Sequence, residues 1–177
     1  MLLPMPSFHA YLESSIEKFP KIKQSFEYSC GAASLLAVLK FYGIHDYTEK
    51  DLMNKLYTHP SIGTHTANFE QLCRDLRLDF TARTMTTDDL IHYAQAHIPV
   101  IVLYQGARPY KAVPAGKDWS HYGIVIGFNP KTERILIHDP WDKKRLSYPI
   151  DDFNDKWNGL SEFDHYGIII RGVKSTK

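Results

Sequence analysis

The hydrophobic pattern of this chain changes period about halfway along, and that change limits the folds open to it. In the first half, apolar side chains recur at helical spacing. Ala32, Leu35, Leu36, Leu39 and Tyr42 share one face of a run that Gly43 stops. Thr48 with Asp51 has the form of a capping box opening a short helix to Leu56 or Tyr57. Phe69, Leu72, Cys73 and Leu76 repeat the spacing within residues 67–77, and Thr86 with Asp89 opens a further helix through Ala96. In the second half, Pro99–Tyr104, Tyr122–Phe128, Arg134–His138 and Tyr166–Ile170 read as β-rich strands, with turn chemistry at Asn129-Pro130-Lys131-Thr132. Helices first and antiparallel strands second predict an α+β fold, helices packed on one face of a sheet, with a cleft where the halves join.

Size and charge remove several classes of function. A chain of 177 residues can bury a full core as one domain, 1–177, without metals or disulfides. Its net charge of +1, with Lys and Arg scattered, gives no electrostatic footprint for nucleic acid or an acidic membrane. No apolar stretch reaches the roughly 18–20 residues of a membrane span. The first residues lack the charged and apolar regions of a signal peptide, and two cysteines are too few for a disulfide framework. The expectation is a reduced, cytoplasmic protein.

Cys30 stands between Gln24-Ser-Phe-Glu-Tyr-Ser29 and the apolar run from Gly31. A thiol at a helix N-terminus meets unpaired backbone N–H groups and the positive end of the macrodipole, which favour the thiolate. The competing reading is a small buried hydrophobe, the common fate of a free cysteine. Cys73, on an apolar face with Phe69, Leu72 and Leu76, fits that second description.

A reactive thiol needs a base. His121 opens one strand and Asp139 ends the next, and a hairpin centred on residue 130 would set them directly opposite on one sheet face. That is the relation an imidazole needs to its orienting carboxylate. Asp164-His165-Tyr166-Gly167 echoes Ser120-His121-Tyr122-Gly123, but His165 has no following strand to supply a carboxylate. His138 should face away from Asp139 by strand alternation. His45, His59 and His65 lie in loop-like contexts, and no Cys or His pair has metal-ligand spacing, so neither a metal nor an organic cofactor is expected. Asp139-Pro140 also reads as plain turn punctuation. Gln24, six residues before the thiol, carries an amide that could donate to an oxyanion, although a glutamine before a helix is usually solvated. Trp119 could line the cleft or simply pack, and the polar segment 105–118 is a surface loop or a flap.

Taken in order, Gln24-x5-Cys30-Gly31 before an apolar helix ending Tyr42-Gly43, then His121-Tyr-Gly-Ile-Val-Ile-Gly127, then Ile137-His-Asp139-Pro140 resemble the double-glycine leader peptidases. These are papain-like cysteine peptidases that trim peptide precursors, often fused to export transporters. The resemblance covers roughly residues 20–141, and Phe153-x3-Trp157-x-Gly159 fits it too. It departs where Ser29 precedes the cysteine in place of an acidic residue and Ala32 stands where the family has proline. The likeness implies a papain-like fold with Cys30 as nucleophile, His121 as general base, Asp139 as its orienter and Gln24 as oxyanion donor. It also implies a peptide or protein substrate, with a leader or precursor cut after a Gly-Gly-type motif as one form of it. An acyl or peptidyl transferase using the same thiol, or a non-catalytic peptide-binding domain, are the alternatives.

Overall fold

The computed structural model describes residues 14–106, 120–142, 144–158 and 163–175. In chain order these form β1 (Ser14–Ser15), α1 (Cys30–Phe41), α2 (Glu49–Lys55), α3 (Thr66–Asp75), β2 (Leu78–Thr84) and α4 (Thr87–Gln95). They continue with β3 (Val100–Gln105), β4 (Ser120–Asn129), β5 (Arg134–Asp139), β6 (Lys144–Pro149), α5 (Ile150–Trp157) and β7 (Tyr166–Val173). The long strands make one antiparallel sheet in the order β2-β7-β3-β4-β5-β6, with β1 added beside β4.

Helices and a sheet arise where the period predicts them, with four additions. β1, β2, β6 and α5 are not marked by the strand and helix runs read from the sequence. β2 escapes because Leu78-Asp-Phe-Thr-Ala-Arg-Thr84 is half polar and lies between two helices; it becomes a strand by pairing with β7 at the sheet edge. The sheet is also covered on both faces. Ile101, Leu103, Tyr122, Ile124, Ile126, Ile168 and Ile170 pack toward α1, α2 and α3. Val100, Val102, Tyr104, Val125, Ile135, Ile137 and Ile169 pack on the other side with Leu90 of α4 and with Phe153 and Trp157 of α5.

The two capping boxes form as expected, with Thr48 and Thr86 each accepting from the N3 backbone while Asp51 and Asp89 reach back. α1 differs from an amphipathic surface helix: every residue from Cys30 to Leu39 is buried. Its small residues explain why this is possible, since Gly31, Ala32, Ala33, Ser34 and Ala37 let neighbours close in from all sides. At Gly31 a Cβ would stand 2.8 Å from Thr64 Oγ1 and 2.9 Å from Thr64 Cβ.

The β4–β5 hairpin is offset from the simple midpoint arithmetic. Asn129 pairs with Arg134, so the loop holds four residues and is centred between Lys131 and Thr132. The Asn129 side chain accepts from the Lys131 and Thr132 N–H groups, and Glu133 takes φ 51° to close it. A bulge then lies between Val125 and Gly127. It gives β4 one extra residue, so Phe128 points to the same side as Val125, where it meets Ile91 and Ala94 of α4. Beyond the bulge Ile124 faces His138, so Asp139 comes opposite Gly123 and meets His121 along the diagonal.

Alanine normally stabilises a helix relative to glycine by about 1 kcal/mol. At Gly31 the overlap with Thr64 reverses the sign, and Gly31→Ala should lose about 1–3 kcal/mol. Urea titration of the two proteins measures this directly.

Candidate active site

Cys30 is the first residue of α1, and three segments bring partners to its thiol. The turn before it is tight: Ser29 donates to the Phe26 carbonyl through both its N–H and its hydroxyl, and the Ser29 hydroxyl accepts from the Phe26 N–H. Ser29 is therefore spent on the turn and does not cap the helix, which leaves the first backbone N–H groups facing the sulfur. The His121 side chain and the backbone N–H groups of Tyr122 and Gly31 all act on it to favour the thiolate.

His121 lies near the start of β4 and is 6% exposed. Its Nε2 is 2.8 Å from Asp139 Oδ1. With Nε2 engaged there, Nδ1 is the ring nitrogen left for the thiol. Gly106 packs so close to the ring that a Cβ at this position would lie 2.8 Å from His121 Cβ. Asp139, 3% exposed, has its charge satisfied by donors on both oxygens. Oδ1 also accepts from the Trp141 N–H at 2.8 Å, and Oδ2 accepts from the Tyr104 hydroxyl at 3.1 Å.

The electrostatics follow from this packing. Burial pushes the Cys30 thiol up, but the hydrogen bond and charge of His121 and the two backbone donors outweigh it, and the net shift is downward. Burial pulls His121 down, yet Asp139 and Cys30 hold its proton more strongly, and the net shift is upward. Asp139 falls below the usual carboxylate range, because His121, the Trp141 N–H and the Tyr104 hydroxyl overcome the cost of burial. The arrangement favours a thiolate beside an imidazolium.

Other residues singled out in the sequence fall elsewhere. Gln24 is buried, its N–H donating to the Pro140 carbonyl at 2.7 Å and its Nε2 to the Phe26 carbonyl at 2.7 Å. His165 bonds Asn154 Oδ1 and packs edge-on against Trp157, away from Cys30. The echo between the two His-Tyr-Gly stretches has a structural counterpart, since Gly123 and Gly167 both pair with Val102, from opposite sides. His138 turns to the other face, where Nε2 meets the Ile22 carbonyl and its ring packs on Phe19. Cys73 is fully buried, and burial pushes its thiol up to about 12. Trp119 and almost all of the polar loop before it lie outside the described residues.

Two contributors carry no signal in the sequence. Tyr104 looks like the last apolar residue of a strand, and its link to Asp139 exists only across β4. The segment Thr58–Thr64 reads as loop, yet it closes on itself through the His59–Gly63 bridge and the Thr58–Thr64 hydroxyl pair. Tyr122 donates to the Thr64 carbonyl, which sets this loop as one wall of a cleft of about 370 Å³. Tyr28, Pro60, Ile62 and Trp141 contribute apolar surface to the cleft, with Cys30 and His121 among the residues lining it. Among the described residues no group of His, Cys, Asp or Glu is arranged to hold a metal ion, and no helix is long and apolar enough to cross a membrane.

Residues 16–164 match the family model described as the Peptidase_C39 like family. The peptidase domain of Streptococcus ComA, described as a bi-functional ABC transporter involved in a quorum sensing pathway, superposes with a TM-score of 0.66 at 22% identity. That match covers 85% of this chain and 96% of the other. The Streptococcus mutans ComA peptidase domain gives 0.57 at 18% identity, with 84% and 96% covered. Xylellain, a cysteine protease from Xylella fastidiosa, gives 0.54 at 10% identity, with 92% and 86% covered. No curated protein matches the chain. The fold shared with these structures is papain-like.

The opposed shifts at Cys30 and Cys73 predict selective alkylation. Iodoacetamide should modify Cys30 at a pH below the ordinary thiol range and leave Cys73 untouched while the protein is folded, as peptide mass mapping would show. In His121→Ala only burial and the backbone donors remain, so the Cys30 thiol should titrate higher and its alkylation near neutral pH should slow by about 10-fold or more.

Proposed function

The chain belongs to the Peptidase_C39-like family and is a cysteine peptidase; on that premise we propose that it hydrolyses peptide bonds through Cys30, His121 and Asp139, with Gln24 as oxyanion donor. The observation that carries this reading is the row of the thiol at the α1 N-terminus, His121 acting on it, and Asp139 Oδ1 at 2.8 Å from His121 Nε2, with Cys30 and His121 lining the cleft.

Each residue then has a task its surroundings allow. Cys30 gives its proton to His121 Nδ1, and the thiolate attacks the scissile carbonyl carbon. The electron pair moves to the carbonyl oxygen, where the Cys30 backbone N–H and Gln24 supply donors. The Phe26 carbonyl can only accept, so it fixes which end of the Gln24 amide is nitrogen and uses one of its two hydrogens. The second is the one the oxyanion would take. His121 passes its proton to the leaving amine as the carbon–nitrogen bond breaks. Water, deprotonated by the same ring, attacks the thioester and releases the new carboxylate and the thiol. Asp139 keeps its charge throughout and holds the ring.

The substrate is a peptide or protein, and family membership supports a precursor cut after a Gly-Gly-type motif. The thiol has to stay reduced, which suits the cytoplasm. The protein acts as one domain over 1–177.

The test is cleavage of peptides carrying a Gly-Gly site, followed by mass spectrometry. Wild type should release the segment after the second glycine, and Cys30→Ala should be inactive. Gln24→Ala should retain the acyl-enzyme route but lose about 100- to 1,000-fold in kcat. Full activity in Cys30→Ala would exclude the thiol mechanism.

A further inference from the structure

We propose that Tyr104 is a positioning residue of this site: its hydroxyl, donated to Asp139 Oδ2, locks the carboxylate so that Oδ1 holds His121 with Nδ1 toward Cys30. The proposal rests on the reading of Cys30, His121 and Asp139 given above, and it adds a residue which touches neither the thiol nor the cleft.

The geometry is unusual because Tyr104 and Asp139 are not on neighbouring strands. Tyr104 is the next-to-last residue of β3, Asp139 ends β5, and β4 runs between them. All three side chains project toward the α5 side of the sheet, Tyr104 being directly paired with His121. The ring crosses β4 at Gly123, where a Cβ would stand 2.8 Å from Tyr104 Cε1. Any larger residue there would block the path, so the glycine in the His-Tyr-Gly stretch serves the tyrosine. Phe153 packs against the ring from α5, and Tyr148 of β6 approaches it edge-on. Tyr104 is fully buried, so its hydroxyl has no water to turn to.

The consequence follows from the cost of an unsatisfied buried oxygen. Oδ1 has two donors, His121 and the Trp141 N–H, while Oδ2 accepts from the Tyr104 hydroxyl. Without it, a carboxylate that is almost fully buried must rotate or lose charge to relieve Oδ2. Either change loosens the Nε2 bond that fixes the tautomer of His121. Burial and the neighbouring Asp139 hold the Tyr104 hydroxyl well above its ordinary range, so it remains a donor across the pH range in which the thiol reacts.

Tyr104→Phe in the full chain removes the hydroxyl and keeps the packed ring. Two readouts apply: iodoacetamide alkylation of Cys30 across pH, which needs no substrate, and hydrolysis of a fluorogenic Gly-Gly peptide. Alkylation near neutral pH and kcat should each fall about 10-fold, the worth of one hydrogen bond to a charged group, with KM held within about 2-fold. The acid limb of both profiles should move up by about one pH unit, because the thiolate loses part of the support of a fixed imidazolium. Gly123→Ala, which keeps the hydroxyl but displaces the ring, should shift the limb in the same direction. Tyr166→Phe, which deletes a hydroxyl bonded to Glu70 of α3 at 2.7 Å on the opposite face of the sheet, should leave both profiles unchanged.

A wild-type acid limb in Tyr104→Phe, beside a slowed His121→Ala, overturns the role of Tyr104 and leaves the thiol–imidazole pair standing. Equal shifts in Tyr104→Phe and Tyr166→Phe also overturn it, since the loss would then be one of general stability. A wild-type alkylation profile in His121→Ala overturns the pair itself, and Tyr104 with it.

Discussion

A carboxylate removed from water must be surrounded by donors or give up its charge, and much of this structure is organised around Asp139 on that account. Its donors come from three directions: His121 of β4, Tyr104 of β3 and the backbone of Trp141 just beyond β5. Each is held by sheet pairing or by the turn that ends β5, so the negative charge stays at one place and in one orientation. His121 can retain its proton inside the protein because that charge is fixed next to it. The thiolate of Cys30 depends in turn on His121.

The chain before Cys30 is bound to β5, to the turn after it and to β6. Arg145 donates to the Ile16 and Glu17 carbonyls, His138 bonds the Ile22 carbonyl, and the Gln24 N–H bonds the Pro140 carbonyl. Residues 14–24 are thereby laid from β4 toward the end of β5, which delivers the following turn and α1 to the end of the sheet where Asp139 sits. α1 completes the arrangement by being buried on every side through Leu39, so its N-terminus has little freedom to move away from His121. Helix dipole and sheet-borne charge meet at the sulfur.

Much of this was legible in the residues. The capping boxes at Thr48 and Thr86 announced two helices, because the motif is local and satisfies its own donors. Cys30 could be picked out by its place before an apolar helix, and His121 over His165 because only the former has a strand after it that supplies a carboxylate. His121 and Asp139 are in contact, but along the diagonal and not directly opposite as the simple hairpin would set them. The turn length and the bulge at β4 depend on which side of the sheet Phe128 must bury, and that is set by α4. Gln24 is a further case: its spacing from Cys30 is visible in the sequence, whereas the bond from its Nε2 to the Phe26 carbonyl is not.

By itself, then, the sequence determined the elements whose signals are local: helix starts, strands with a run of β-branched residues, the thiol at a helix entrance and the chain order of Cys30, His121 and Asp139. The tertiary structure alone decided what required contact across distance. It covered both sheet faces, turned the half-polar segment 78–84 into a strand by giving it β7 to pair with, and moved Asp139 onto the diagonal from His121. It also carried Tyr104 over Gly123 to the far oxygen of Asp139. A hydrogen bond between residues 104 and 139 leaves no periodic trace in either segment, because it depends on the strand that happens to lie between them.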